Sequence, residues 1–206
     1  MRGVPMKKRI AVLASGRGSN FQAVLEAIHD GRVPAVCVRL FTDNPKAFAI
    51  DRARSADIPV TIVDFSVFSS KDEYERTLLG ELVKCNADLL VLAGYMRILG
   101  KTIIGEFAGR MINIHPALLP AFPGLHGPRQ ALFHGAKVAG CTVHFVDENL
   151  DGGPIIVQRC VRVREDDDEE ALASRILEQE HRCLPEAIRL FCEGRLTIEG
   201  RRVIVR

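Results

Sequence analysis

Short apolar runs alternate with stretches in which apolar positions recur at helical spacing, and this rhythm carries through the first half of the chain. Arg9–Ala14 reads as a first strand and Phe21–His29 as a helix closed by Asp30 and Gly31. Val36–Phe41 is a second strand, followed by the turn Thr42–Pro45 and a short helix to Ser55. Val60–Val63 is a third. Lys71–Cys85 is amphipathic, with Tyr74, Leu78, Leu79, Leu82 and Val83 on one side. Leu89–Ala93 is a fourth strand, Lys101–Phe107 a short helix, and the segment from Arg110 to His115 a fifth strand. Near-continuous apolar strands separated by helices predict a doubly wound parallel sheet. The first strand should neighbour the fourth and fifth at the switch point, where open α/β sheets bind ligands.

After His115 the pattern changes. Residues 116–127 are rich in Pro and Gly and read as a loop, long enough to serve as a mobile flap. Pro128 opens a helix that runs to His134. Gly140–Val146 alternates strictly and puts Thr142 and His144 on one face; a carboxylate-rich turn, Asp147–Pro154, leads to a strand Ile155–Val163. These two strands are expected as antiparallel additions. The acidic run Glu165–Glu170 suits the positive end of a long helix, Asp168–Cys192. Leu196–Val205 reads as a terminal hairpin turning at Glu199–Gly200. The fold class is α/β: a Rossmann-like, doubly wound, mostly parallel sheet with added antiparallel strands. With no repeat or linker in view, residues 1–206 are expected to form one domain, residues 1–6 a disordered extension with Met6 as the original start, and 196–206 the terminal hairpin.

Composition narrows the function classes. Of 206 residues 47% are apolar and 26% charged, which suits an ordinary soluble globular protein. A net charge of +2 with scattered Lys and Arg gives no stripe for nucleic acid. No apolar run is long enough to cross a membrane, and Ile10–Ala14 is too short for a signal-peptide core. A cytoplasmic protein is expected. The six cysteines form no C-x-x-C pair and mostly sit within apolar runs, so they read as buried free thiols; no zinc-like cluster appears, and no metal is expected.

Three stretches carry candidate chemistry. Asn113 and His115 interrupt an apolar strand two residues apart and so project from the same face, before Pro116 and Pro120 end regular structure. A core histidine beside a turn-capping asparagine is the competing structural reading. Ser15-Gly-Arg-Gly-Ser-Asn20 follows a strand and opens a helix, the arrangement that offers free backbone N–H groups to an anion; Ser19 and Asn20 suit the cap. The stretch is neither a Walker motif nor a full G-x-G-x-x-G fingerprint, which favours a monophosphate over a nucleotide diphosphate. The loop Gly94–Leu99 sets apolar residues around Arg97 and would line a flat ligand, or merely pack a helix end. Asp151, on a Gly-rich turn, completes a trio with Asn113 and His115. Without a reactive Ser or Cys, a covalent acyl-enzyme is disfavoured. A carboxylate favours the charged form of a neighbouring imidazole. An imidazolium beside an amide N–H stabilises an oxyanion and protonates a leaving amine, which suits direct acyl transfer between two nitrogens.

From about Ile10 to the end of the long helix the chain resembles the glycinamide ribonucleotide formyltransferases of purine biosynthesis. The matching pieces are Ser15–Asn20, Ala93-Gly-Tyr-Met-Arg-Ile-Leu99, Asn113-Ile-His-Pro-Ala-Leu-Leu-Pro120, Pro123-Gly-Leu-His126, Gly140-Cys-Thr-Val-His-Phe145 and Leu150-Asp-Gly-Gly-Pro154. The resemblance implies the formyltransferase fold and transfer of a formyl group from 10-formyltetrahydrofolate, as co-substrate, to the amine of glycinamide ribonucleotide. It assigns Asn113, His115 and Asp151 to catalysis, and Gly18, Ser19 and Asn20 to the ribonucleotide phosphate. Pro116 and Glu180 are implied at the rest of the ribonucleotide. Lys71, Met96, Arg97, Ile98, Leu99, Asn113 and Asp147 are implied at the folate. The implied partners are these small molecules alone, with no nucleic acid, membrane or metal, and the chain is expected as a monomer or homodimer. Two positions depart from the pattern: Lys71 stands where some relatives carry Arg, and Pro128 where many carry a polar residue. Methionyl-tRNA formyltransferases and formyltetrahydrofolate deformylases share the core. The first is expected to need a further carboxy-terminal domain, and the second an amino-terminal regulatory one.

Overall fold

The computed structural model describes residues 7–206, so the extension expected over residues 1–6 lies outside the described residues. The first half is a βα series: β1 (Lys8–Leu13), α1 (Ser19–His29), β2 (Ala35–Thr42), α2 (Ala49–Ser55), β3 (Val60–Ile62), α3 (Lys71–Lys84), β4 (Leu89–Leu92), α4 (Lys101–Glu106) and β5 (Met111–His115). It continues through α5 (Gly127–Phe133), β6 (Val138–Phe145), β7 (Ile155–Arg162), α6 (Glu169–Cys192), β8 (Leu196–Glu199) and β9 (Arg202–Val205). The strands make one sheet in the order β3-β2-β1-β4-β5-β6-β7-β9-β8. β3 through β5 pair in parallel, β6 is antiparallel to both β5 and β7, and the β8–β9 hairpin extends the far edge. The chain reverses its direction of travel across the sheet between β1 and β4, the expected switch point.

The strands read as unbroken apolar runs because both faces are covered. In β1, Ile10 and Val12 point into one core with Phe21 and Val24 of α1, Ile50 of α2, and Ile176, Leu184 and Ile188 of α6. Ala11 and Leu13 point into the other, with Tyr74, Leu78 and Leu82 of α3 and Ile103 of α4. Each fully buried aliphatic side chain stabilises the fold by about 1.5–3 kcal/mol relative to exposure. On α3 only Tyr74, Leu78 and Leu82, spaced four residues apart, are buried. Val83, expected on the same side, is 52% exposed because it lies about 100° round the helix from Leu82.

Asp168 caps α6 by accepting the Ala171 N–H at 2.8 Å, and Glu169 and Glu170 occupy its first turn, as the acidic run predicts. All six cysteines are free. Four are buried, Cys192 is half-buried, and Cys160 is exposed, contrary to expectation, on the face of β7 that turns to solvent. The stretch expected as a flap is stitched to the sheet: Thr142 Oγ1 donates to the Ala117 carbonyl (2.7 Å) and accepts the Leu119 N–H (3.0 Å), while the Gln158 amide donates to the Leu119 carbonyl (2.8 Å). Pro120, Ala121, Pro123, Leu125 and His126 are nonetheless exposed.

Candidate active site

The candidate residues gather at the carboxyl ends of β1, β4 and β5. Pairing of β5 with β6 sets Asn113 opposite His144 and His115 opposite Thr142, so two polar pairs share one face. His144 donates its Nδ1–H to the Phe145 carbonyl at 2.8 Å, and its Nε2 holds the Asn113 amide at 3.2 Å. Asn113 is therefore fixed in rotation and keeps its second amide hydrogen for a ligand. Sequence reasoning placed His144 on a face with Thr142 but gave it no role. Strict alternation along β6, set against Asn113 and His115 in an antiparallel register, was the signal available.

Asp151 arrives from the β6–β7 turn. Its φ of 50° is left-handed, and at Gly153 any Cβ would run into the Phe145 carbonyl oxygen, so the turn folds tightly over the strand ends. One carboxylate oxygen accepts the Gly124 N–H at 2.7 Å and lies 3.4 Å from His115 Nδ1; the other lies 3.7 Å from His144 Nε2. Burial by itself raises the Asp151 carboxyl, but the His144 ring, the Gly124 N–H and the His115 ring outweigh it and hold the group below its ordinary value. His115 Nε2 faces the Phe122 carbonyl at 2.9 Å and so carries a hydrogen, while its Nδ1 faces the Asp151 carboxylate. The trio is thus brought together as expected, with His144 as a fourth member.

The Gly-rich turn begins α1 at Ser19, two residues before the expected start. Gly18, with φ 67°, is the N-cap residue, and no side chain caps the helix. The expectation that Ser19 and Asn20 cap it does not hold: Ser19 and Asn20 lie within the first turn, whose N–H groups remain available to an anion. A Cβ at position 18 would lie 2.7 Å from Ala49 Cβ, so α2 packs too closely for any residue but Gly. The Asn20 side chain turns inward and donates to Glu180 at 2.6 Å, leaving its own Oδ1 buried without a partner. Glu180 occupies an apolar position of α6, in a series that recurs every four residues as Leu172, Ile176, Glu180, Leu184 and Ile188, and burial raises its carboxyl, opposed by the Asn20 bond. That break in the stripe was legible in the sequence. Pro116 follows directly on His115, half-buried beside the trio.

Between β4 and α4, Met96 and Ile98 are exposed, as a ligand-facing loop requires, whereas Leu99 is buried in the core below, so only its backbone is free for a ligand. Arg97 is bound to Asp43 at 2.8 Å and stacks over Phe65 at 4.1 Å. Lys71, the first residue of α3, pairs with Glu75 at 3.4 Å and is more than half exposed. Asp147 accepts the Asn149 N–H at 2.8 Å and shapes the turn that carries Asp151. Among the described residues no group of three or more His, Cys, Asp or Glu side chains is placed to hold a metal, and no helix is long and apolar enough to cross a membrane.

Against known proteins, the family model "Formyl transferase" matches residues 8–188. The phosphoribosylglycinamide formyltransferase of Escherichia coli K12 is 43% identical over 187 residues, covering 91% of this chain and 88% of the relative. The trifunctional purine biosynthetic protein adenosine-3 of Drosophila melanogaster is 43% identical over 190 residues, but this chain spans only 14% of that protein's length. The crystal structure of glycinamide ribonucleotide transformylase 1 from Symbiobacterium toebii superposes with a TM-score of 0.96 at 47% identity, covering 100% of this chain and 97% of that one. The match spans β1 to most of α6 and includes every group of the site, and the chain belongs to the formyl transferase family.

Proposed function

We propose that this chain transfers the formyl group of 10-formyltetrahydrofolate to the amine of glycinamide ribonucleotide, within purine biosynthesis. The single observation that carries the reading is the joining of two half-sites on one sheet. A helix amino terminus with uncapped N–H groups, suited to a monophosphate, stands beside an Asn–His–Asp–His cluster suited to a tetrahedral oxyanion. Formyl-transfer relatives of high identity supply the substrate class.

The ribonucleotide phosphate binds the N–H groups of Gly18, Ser19 and Asn20, and Glu180 with Pro116 lines its ribose side. The folate ring lies along Met96–Leu99 and Asp147, with its tail toward Lys71. The substrate amine attacks the formyl carbon, forming one C–N bond and placing negative charge on the formyl oxygen. Asn113 Nδ2–H and the His115 imidazolium stabilise that charge. His115 then gives its proton to the departing folate nitrogen as the second C–N bond breaks. The attacking nitrogen loses a proton, which returns the imidazole to its charged form. Asp151 keeps the ring oriented and its positive charge compensated, and His144 holds the Asn113 amide in place. Positioned proton transfer of this kind contributes about 10²–10⁴-fold to rate. His115 Nε2 now faces Phe122, so the ring must release that carbonyl before it can address the folate nitrogen from this edge.

The test is a formyl-transfer assay followed by folate absorbance. Release of tetrahydrofolate only when glycinamide ribonucleotide is present is the expected result. Release without it would replace transfer by hydrolysis, and no release under either condition would overturn the reading.

A further inference from the structure

Ser15 leads into the Gly-rich turn and is 8% exposed. All three of its polar groups bind other loops. Its N–H donates to the Gly94 carbonyl at 3.0 Å, and its Oγ accepts the Met96 N–H at 2.9 Å. Its carbonyl accepts the Asn44 amide at 3.1 Å. Two of these bonds reach the Gly94–Leu99 loop, and the third reaches the β2–α2 turn. That same turn grips both neighbours again. The Ala49 N–H donates to the Gly16 carbonyl at 3.1 Å, and Asp43, 7% exposed, binds Arg97 Nε at 2.8 Å. Asp43 Oδ1 has no partner, so the carboxylate is spent on that one contact.

We infer that Ser15 and Asp43 are positioning residues that lock the ribonucleotide loop and the folate loop into one unit, so that each substrate strengthens binding of the other. The inference rests on the proposed function for the identity of the two ligands. Its physical basis is the entropy lost when loops are ordered, and loops that share hydrogen bonds are ordered together. A phosphate held by the first turn of α1 fixes Ser15, and Ser15 fixes Met96 through its hydroxyl. The second ligand then meets a loop already in place. Linkage requires the effect to be reciprocal.

The experiment measures binding, not turnover. Tetrahydrofolate, which lacks the formyl group and cannot react, is titrated into the enzyme by calorimetry under anaerobic conditions, with and without saturating glycinamide ribonucleotide. Wild type is expected to show a gain in folate affinity on the order of 5-fold or more, within the usual range of coupled sites. Ser15→Ala leaves the Met96 N–H without its partner and should lower the factor clearly below the wild-type value, while each ligand alone still binds. Asp43→Asn keeps the shape of the turn and weakens the charge-assisted bond to Arg97; it should reduce the factor partway and serves if Ser15→Ala fails to fold. A factor of 1 in wild type, or a wild-type factor retained in the folded variants, overturns the inference. If wild type binds neither ligand, the proposed function itself fails, a result distinct from binding without coupling.

Discussion

Glu180→Gln should make this protein more stable and a poorer binder of its ribonucleotide. In the structure a carboxyl nine-tenths out of water faces an asparagine that offers one donor and one acceptor; only the donor is used, at 2.6 Å, and Asn20 Oδ1 is buried unpaired. A glutamine amide of the same shape accepts from Asn20 Nδ2 and donates to Asn20 Oδ1, pairing both groups and removing a charge from an apolar stripe. An unsatisfied buried polar group costs about 1–3 kcal/mol. At about 2–4 °C per kcal/mol for a chain of this size, the unfolding midpoint at pH 7 should rise by roughly 2–12 °C. The sign with pH follows from burial, which raises the folded Glu180 carboxyl above its unfolded value. The stability tied to that carboxyl is fully present below the unfolded value of about 4.3 and is lost as pH rises through the folded value. Glutamine does not titrate, so the gap between variant and wild type should be widest at neutral pH and close as pH falls toward 4.3. Differential scanning calorimetry across that range, paired with the KM for ribonucleotide, is the assay. A variant that melts at or below wild type at pH 7, or a gap that is the same at pH 5 as at pH 8, refutes the reasoning. Keeping a costly carboxylate here is the behaviour of a binding group, which trades stability for function.

Asp151→Asn tolerates the left-handed backbone and keeps the Gly124 bond but removes the charge facing His115, so kcat should fall by about 10²-fold or more with an unchanged circular dichroism spectrum; near-wild-type turnover would remove Asp151 from the mechanism. Because the folded Asp151 carboxyl lies below its ordinary value, its contribution to stability is present above about pH 3.9 and is lost as pH falls through the folded value, so acid unfolding of the variant should be less steep there. Asn113→Ala should lower kcat with little change in the ribonucleotide KM, since the amide acts on the oxyanion; His144→Ala should follow it, and a double variant no worse than either single one would show that they act as a unit. Gly18→Ala forces φ 67° on a residue with a Cβ and drives that carbon against Ala49, so it should cost about 2–4 kcal/mol in urea unfolding and raise the ribonucleotide KM.

Most of what is governed at short range was readable from the residues alone. The strand period of two put Asn113 and His115 on one face; the apolar runs of β1, β4 and β5 announced a sheet covered on both sides; Asp168 and the acids after it marked where α6 begins. Gly18 signalled a helix entry fit for an anion, although the pattern misjudged which residue caps it. What those pieces face depends on how the folded chain packs. Asn113 meets His144 across 31 residues of sequence, and Asn20 meets Glu180 across 160. Neither meeting is encoded by local propensity. The first depends on the register of β6 against β5, and the second on α6 crossing back over α1. The same holds for the tie between Ser15 and Met96, and for the turn of Asn20 inward rather than outward. Hydrophobic pattern and turn chemistry act over a few residues, so they choose elements. The partners of a buried polar group are chosen by packing, because only the folded chain removes water as the competing partner.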